Sequence, residues 1–348
     1  MKKTLVVAAG LAVLSTSAFA SKARMQALGQ GSTFGSYYMQ DTRNIWRMPH
    51  SMNANSNFVI TEWGDQDATN GENAEGGFFN SAASMNYGIY LNANALGNVQ
   101  QDTNNNNPNR FDLFVAGNGN MNWGARLGYE TITNKTAALD ESASGLDFTV
   151  SAELSGANVW LTYVAAADAT VDGSRDQNAD MRLGATYGMN DYTLFAEYTS
   201  EGNQAAITGT EEDETSTTLT IGAGRTMSMS DSATVFYDAK IVSTSNLSAG
   251  AYSKDATSLS LPVTFGVEAK ANSWLTLRAS ISQPVYSNQE VKNGNDTEES
   301  SSRSTTLGVG ASLTYGSLQL DGTVSNADQG TLGASNDVIS NVSMTYVF

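Results

Sequence analysis

Cysteine is absent from the 348 residues, so no disulfide and no thiolate metal site can form. Exported chains often rely on disulfides, and a chain of this size without them needs another source of stability. A closed hydrogen-bonded sheet is one such source. Proline occurs only 4 times, which argues against a Pro-rich linker or tail, whereas 32 glycines suit many strands joined by tight turns. Histidine occurs once, as His50, beside Pro49 in an irregular segment. A catalytic base must reach its nucleophile, and the plentiful Ser and Asp show no such spacing. No catalytic residue, cofactor or metal site is therefore expected, and no stretch matches the calcium-binding loop pattern. Basic residues are also scarce: Lys and Arg total 18 against 35 Asp and Glu, a formal charge of -17. That balance excludes nucleic acid as a partner, which needs a basic footprint. A composition 40% hydrophobic and 15% charged is too apolar for disorder.

Long apolar runs are missing as well. No stretch after the N-terminus approaches the ~18 unbroken apolar residues of a membrane helix. The N-terminus itself reads as an export signal. Lys2 and Lys3 form a positive n-region, Thr4 to Leu14 a short apolar core, and Ala18-Phe19-Ala20 a small-x-small cleavage site at Ala18 and Ala20. The expected division is 1–20 signal peptide, 21–57 N-terminal segment and 58–348 strand region.

What the chain does have is alternation. From about Phe58 onward, segments of ~10 residues place apolar side chains at every second position. Examples are Trp123/Ala125/Leu127/Tyr129, Leu146/Phe148/Val150/Ala152/Leu154 and Leu307/Val309/Ala311/Leu313/Tyr315. The last segment ends on Val342, Met344, Tyr346 and Phe348. A free end seldom stops on such residues in water. In a closed barrel the last strand pairs with the first and faces lipid, and Tyr346 and Phe348 then read as the barrel-assembly signal. The connections alternate in length. Short ones fall near Asn118-Gly119, Ser155-Gly156, Met189-Asn190, Ala271-Asn272-Ser273 and Gly316. Long polar ones fall near 94–108, 132–142, 168–178, 202–214, 245–256, 286–301 and 327–336. The region before Asn92 splits into Glu75–Asn80 and Ser84–Ala93 around a turn at Ser81-Ala82-Ala83. The predicted fold is all-β: an antiparallel up-and-down transmembrane barrel of about 16 strands, 14 being the alternative, with a short N-terminal lid or plug.

Aromatics cluster at strand ends. Trp123, Tyr187, Tyr192, Trp274, Tyr315, Tyr346 and Phe348 mark one rim, and Phe111, Tyr129, Tyr163, Tyr198 and Tyr286 the other, as interfacial belts require. The positions between the apolar ones are polar, and charges there must face inward, since lipid exposure would cost a few kcal/mol each. The expected pore-lining charges are Arg126, Glu130, Asp147, Glu153, Arg182, Glu197, Asp238, Lys240, Glu268, Lys270, Arg278 and Asp321. Most pair across strands. The acidic excess, with Glu211-Glu212-Asp213-Glu214 and Asp296/Glu298/Glu299, predicts a weak cation preference.

Residues 21–57 do not alternate. Gln40-Asp41-Thr42-Arg43-Asn44-Ile45-Trp46-Arg47-Met48-Pro49-His50 reads as a short helix or lid with Thr42 as its N-cap. A Gly-containing segment followed by a Pro turn ahead of strand one resembles the long-chain fatty-acid transporter superfamily of outer-membrane barrels. Met48-Pro49-His50 stands where that family has Asn-Pro-Ala, so only the Pro matches. Asp41-Thr42-Arg43-Asn44-Ile45 and Thr61-Glu62-Trp63-Gly64 also look like major outer-membrane pore proteins of predatory bacteria. The resemblance implies a Gram-negative outer-membrane barrel with an N-terminal hatch.

Three functions follow as expectations. A diffusion porin for small hydrophilic solutes and ions is preferred. A gated transporter of hydrophobic ligands would show an apolar lumen pocket, to which Phe114, Trp160, Phe195 and Phe236 could contribute. A structural or adhesive barrel would have a blocked lumen. Expected partners are outer-membrane lipid and lipopolysaccharide, the barrel-assembly machinery, and further copies of the chain, as in a trimer.

Overall fold

The computed structural model describes residues 21–63, 74–93, 109–135, 140–165, 168–170, 179–207, 210–249, 255–293, 296–301, 304–328 and 341–348. Residues 1–20, expected to be a signal peptide, and the stretch 94–108, with most of the stretches 168–178 and 327–336, lie outside them.

Alternation of side-chain size and polarity along the chain produces strands, because successive residues of a strand face opposite sides. The strands are β1 (Phe58–Trp63), β2 (Glu75–Ala82), β3 (Met85–Leu91), β4 (Asn109–Asn118), β5 (Asn122–Lys135), β6 (Asp140–Leu154), β7 (Ala157–Val164), β8 (Asp168–Thr170) and β9 (Asp180–Met189). They continue as β10 (Tyr192–Ile207), β11 (Thr210–Ser230), β12 (Ala233–Ala249), β13 (Asp255–Lys270), β14 (Leu275–Asn293), β15 (Asp296–Ser300), β16 (Thr306–Tyr315), β17 (Leu318–Asp328) and β18 (Asn341–Val347). Two of these are continuations. β6 pairs with β7 along Asp147–Leu154 and with β8 along Ser142–Ser144, so β7 and β8 form one stave. β14 likewise pairs with β16 and, farther out, with β15. The result is a closed antiparallel barrel of 16 staves, not 14.

Closure is made by β1 and β18, from Phe58 opposite Val347 to Trp63 opposite Val342. β1 also pairs with β2, so no edge is left at the seam. The alternation is visible in burial: β3 reads exposed-buried from Met85 to Leu91, and β4 does the same from Asn109. Outward residues form an apolar band that includes Leu113, Leu127, Phe148, Leu183, Ile221, Ile241, Phe265, Leu277 and Leu313. Both sets of rim aromatics named above are exposed, from Phe111 and Trp123 to Tyr346 and Phe348.

The turns follow simple backbone chemistry. In the two-residue hairpin Ser155-Gly156 both residues have positive φ, +51° and +85°, as the twist of a tight hairpin requires. The first hairpin turns at Ala83-Ser84, with Ala83 at φ +55°, one residue later than the sequence suggests.

Several connections expected to be loops are instead paired. β10 and β11 stay in register out to Ile207 opposite Thr210, and β12 and β14 run to Ala249 and Asn293. Their outer parts are rich in Ser, Thr, Gln and Glu on both faces. Loss of the apolar alternation marks where a strand leaves the apolar band, not where the ladder stops. Among the described residues β11 spans 21 and β14 spans 19.

Inside, large aromatics lie flat on glycines of the next strand. Trp160 faces Gly184, Phe195 faces Gly222, and Phe236 faces Gly266. A Cβ at Gly266 would fall 1.9 Å from the Phe236 ring. At Gly188 it would meet nothing within 4 Å. Gly266→Val is therefore expected to destabilise the barrel by about 1–3 kcal/mol, the usual cost of overpacking, with Gly188→Val much closer to neutral. Urea unfolding in detergent micelles, followed by tryptophan fluorescence, checks the contrast.

Candidate functional site

The site is the barrel interior, and residues 21–57 occupy it. The segment holds a short helix α1 (Lys22–Ala27) and two 3-10 helices, Thr42–Trp46 and Pro49–Asn53. Ser21 caps α1 by accepting from the Arg24 amide. Asp41, not Thr42, caps the second element by accepting from the Arg43 amide. An aspartate side chain competes well for that role, and Thr42 becomes the first helical residue. α1 packs against β14, β16, β17 and β18, and the Pro49–Asn53 helix against β3, β4, β5 and β6. The stretch is folded against the inward face of the barrel wall.

Charge holds it there. Lys22 Nζ lies 2.8 Å from Glu75, and Arg43 bridges Glu62 at 2.9 Å and Glu75 at 3.0 Å. Tyr90 donates its hydroxyl to the same two carboxylates. Arg24 pairs with Glu268 at 2.8 Å and with Asp41 at 2.7 Å. Arg47 donates to Glu197 at 3.1 Å, and Glu197 also accepts from the Tyr37 hydroxyl at 2.8 Å and the Trp160 indole at 3.0 Å. Asp238 accepts from Tyr38 at 2.8 Å and Gln30 at 3.1 Å. Four cations of the segment thus meet acids of the wall. A buried carboxylate left alone would be strongly unfavourable, so each contact fixes the segment's position.

Apolar contacts complete the docking. Trp46 sits edge-on to Tyr90 and Phe114, each at 5.1 Å between ring centroids. Tyr37 stacks on Phe195 at 4.4 Å, and Arg47 lies 3.9 Å over the Tyr37 ring. Met25, Leu28 and Met39 gather on Phe236. The four inward aromatics singled out in the sequence are all buried, and the segment covers Phe114, Phe195 and Phe236 directly.

The wall has its own ion network. Arg110 pairs with Asp112, Glu130 and Asp147, and Arg126 with Asp112 and Asp147. Gly128 leaves the space for it, since a Cβ there would lie 2.2 Å from the Arg110 guanidinium. On the other side Arg278 pairs with Glu268 at 2.5 Å and Asp321 at 3.0 Å.

The twelve charges expected to line a pore divide into two groups. Arg126, Glu130, Asp147, Glu197, Asp238, Arg278 and Asp321 are buried, and Glu268 nearly so. Their neighbours are protein groups, not open lumen. Arg182, Lys240 and Lys270 are half-buried, and Glu153 is exposed at the short-turn rim, accepting from Asn122. Tyr346 and Phe348 lie exposed on the outer face, with Phe348 stacked on Phe78. Ala18 and Ala20 lie outside the described residues. The sequence reading missed Glu62, Glu75 and Arg110, and all four segment cations. Glu62 was findable, since it shares its face with Phe58 and Ile60 in β1, both buried.

A cavity of about 490 Å³ opens at the short-turn end between the segment and the wall, lined in part by Asn44, His50, Ser51, Asn118, Asn122 and Asn158. His50 is part of its wall. Its Nδ1 faces the Ser151 hydroxyl at 2.8 Å and its Nε2 faces the Asn158 carbonyl at 3.0 Å. The Asn158 carbonyl oxygen can only accept there, which places a proton on Nε2. Among the described residues no group of three or more His, Cys, Asp or Glu could hold a metal ion.

No family model and no curated protein sequence matches this chain. Among solved structures it is similar to a Rhodopseudomonas blastica porin mutant, at 13% identity over 84% of this chain and 99% of that one, with a TM-score of 0.34. It is also similar to OmpT of Vibrio cholerae, at 10% identity over 84% and 96%, with a TM-score of 0.35. The Pseudomonas putida toluene transporter TodX matches at 12% identity over 94% and 96%, with a TM-score of 0.38. The barrel is defined by its own strand register, and these likenesses add nothing to it about function.

Two predictions concern the docked segment. Arg43→Met leaves Glu62 and Glu75 with one cation fewer, and breaking a buried pair of this kind costs about 3–5 kcal/mol. Limited proteolysis in micelles should then cut within 21–57 while the barrel stays intact. The second is pH dependence. Burial pushes the His50 imidazole below its ordinary value of 6.5, so its contribution to docking is full above that value and is lost as pH falls below it. Asp41, raised by burial to about 6 despite Arg24, acts in the opposite sense: protonation, as pH falls through that value, favours the docked state. Comparing wild type with His50→Gln isolates the histidine term. Protection of the amides in 42–53, taken relative to the intrinsic exchange rate at each pH, should fall on acidification from pH 7 to pH 5 more in wild type than in the variant.

Proposed function

We propose that the chain is an outer-membrane channel of a Gram-negative cell, through which small hydrophilic solutes and ions diffuse, with residues 21–57 narrowing the bore. The observation that carries this reading is the two-sided wall: apolar outside over the full circumference, polar and charged within. A lipid-facing exterior of that kind suits a membrane-spanning barrel. A sixteen-stave ring is wide enough to leave an aqueous channel beside a short inserted segment.

The way past the segment is best supported along β11, β12 and β13. There the inward residues Ser216, Thr218, Thr220, Thr244, Asn246 and Ser258 are only half-buried. Hydroxyl and amide groups suit passage of hydrated solutes without binding them tightly. The long connections are placed outside the cell and the short turns in the periplasm, as in outer-membrane barrels. The exposed Asp296, Glu298 and Glu299, with the sequence Glu211-Glu212-Asp213-Glu214 on β11, then favour cations at the outer mouth. Removal of a signal peptide at Ala20, recognition of Tyr346 and Phe348 by the assembly machinery, contact with lipopolysaccharide and a trimeric state belong to the same proposal. The twelve charges named above are the proposed lining of the wall, and with the segment in place Glu153, Arg182, Lys240 and Lys270 are those left to face the channel.

Transport of hydrophobic ligands has less support, because the inward aromatics that would receive them are engaged by Trp46, Tyr37 and Tyr38. A lumen closed by the segment is the second reading, and the burial of 21–57 favours it. Planar-bilayer recordings separate the two. Wild type is expected to show small ohmic steps that scale with salt, and deletion of 21–57 to enlarge them several-fold. Conductance seen only after deletion would establish the closed lumen instead. Silence in both would end the channel reading.

A further inference from the structure

The segment takes up part of the negative charge of the wall. Acids outnumber bases along the wall, yet those at mid-depth are taken up. Glu62, Glu75, Glu197 and Glu268 face cations of the segment, and Asp112, Glu130 and Asp147 face Arg110 and Arg126. Lys240 is different. It stands midway along β12, its side chain directed inward beside Gly222, whose Cβ would lie 2.7 Å from that of Lys240. It is half-buried and forms no ion pair among the described residues. Asp238, two positions along on the same face, is buried and turned to Tyr38 and Gln30 of the segment. Gly222 pairs with Lys240 on one side and with Phe195 on the other, and Tyr37 of the segment stacks on Phe195, so Lys240 stands at the level where the segment narrows the bore. The half-buried hydroxyls of Thr220 and Thr244 share its face of the wall.

We infer that Lys240 is the selectivity residue of the channel: a fixed positive charge at the narrow level that attracts small anions and opposes the cation preference of the acidic outer mouth. The inference rests on the channel reading and adds the residue that sets its ionic discrimination. A lone charge in a narrow, partly dehydrated passage acts on every ion that passes it, and salt screens it less than charges on the open rim.

The test is the reversal potential of the full-length protein in a KCl gradient. Removing the charge with Lys240→Gln should raise the cation-to-anion permeability ratio roughly fivefold, and Lys240→Glu more than about tenfold, the scale of one and two unit charges at ~8 Å in water acting oppositely on cation and anion. The same charge reversal at the exposed rim residue Lys292, which pairs with Glu290, should shift the ratio far less. A Lys240→Glu channel that conducts with the wild-type ratio, or one no different from Lys292→Glu, overturns the assignment. If Lys240→Glu does not assemble, Lys240→Gln alone decides, by a shifted or an unshifted ratio. A wild-type protein that never conducts overturns the channel reading itself, and this assignment falls with it.

Discussion

Six residue pairs between β1 and β18 close the sheet, and every other feature of the molecule presupposes them. An open sheet of this length would leave unpaired backbone groups along two edges and no inside to fill. Closure satisfies those groups and fixes the parity of each strand. One parity gives Val59, Thr61 and Trp63 to the outside, and the other gives Phe58, Ile60 and Glu62 to the lumen. The amide of Phe348 adds a last bond to the carbonyl of Asn57, just ahead of β1.

Closure also creates a problem. It directs a large number of charged side chains into a space too confined to hydrate all of them. The wall solves part of it with its own network around Arg110 and Arg126. The rest is solved by the N-terminal segment, whose Lys22, Arg24, Arg43 and Arg47 match wall acids. Pairing of this kind contributes position more than stability, since desolvation offsets much of the attraction. The apolar contacts of Trp46, Tyr37 and Met25 supply the hydrophobic part of the docking. The segment is thus specified by charge and anchored by aromatic rings.

Much of the barrel was legible in the sequence because a period of two is a local signal. The short turns at Ser155-Gly156 and Gly316 follow from spacing, which left the count at about 16 or 14 staves until the pairing of β1, β2 and β3 fixed it at 16, and the belts of aromatics follow from their place at strand ends. The long outer hairpins were not legible. Residues such as Thr215 to Thr218 are polar on both faces, so nothing in the pattern separates a paired strand in water from a loop. The plug was half legible: the break in alternation before Phe58 marked a separate segment, but its partners are distant in sequence. Glu268 meets Arg24 across 244 positions, and no local spacing reports such a contact. His50 appeared as an isolated polar residue for the same reason. Its partners Ser151 and Asn158 are ordinary members of β6 and β7.

The seam has a consequence for biogenesis. The two strands that meet there lie at opposite ends of the barrel-forming sequence, and the segment lodged in the lumen is attached directly to one of them. Translation delivers the plug before any stave exists, and the final stave after all the others. Either the plug condenses first and the wall wraps around it, or the wall closes first and the plug threads in from the rim near Asn57. The first order would make the plug a template for curvature, with its four cations recruiting staves as they arrive.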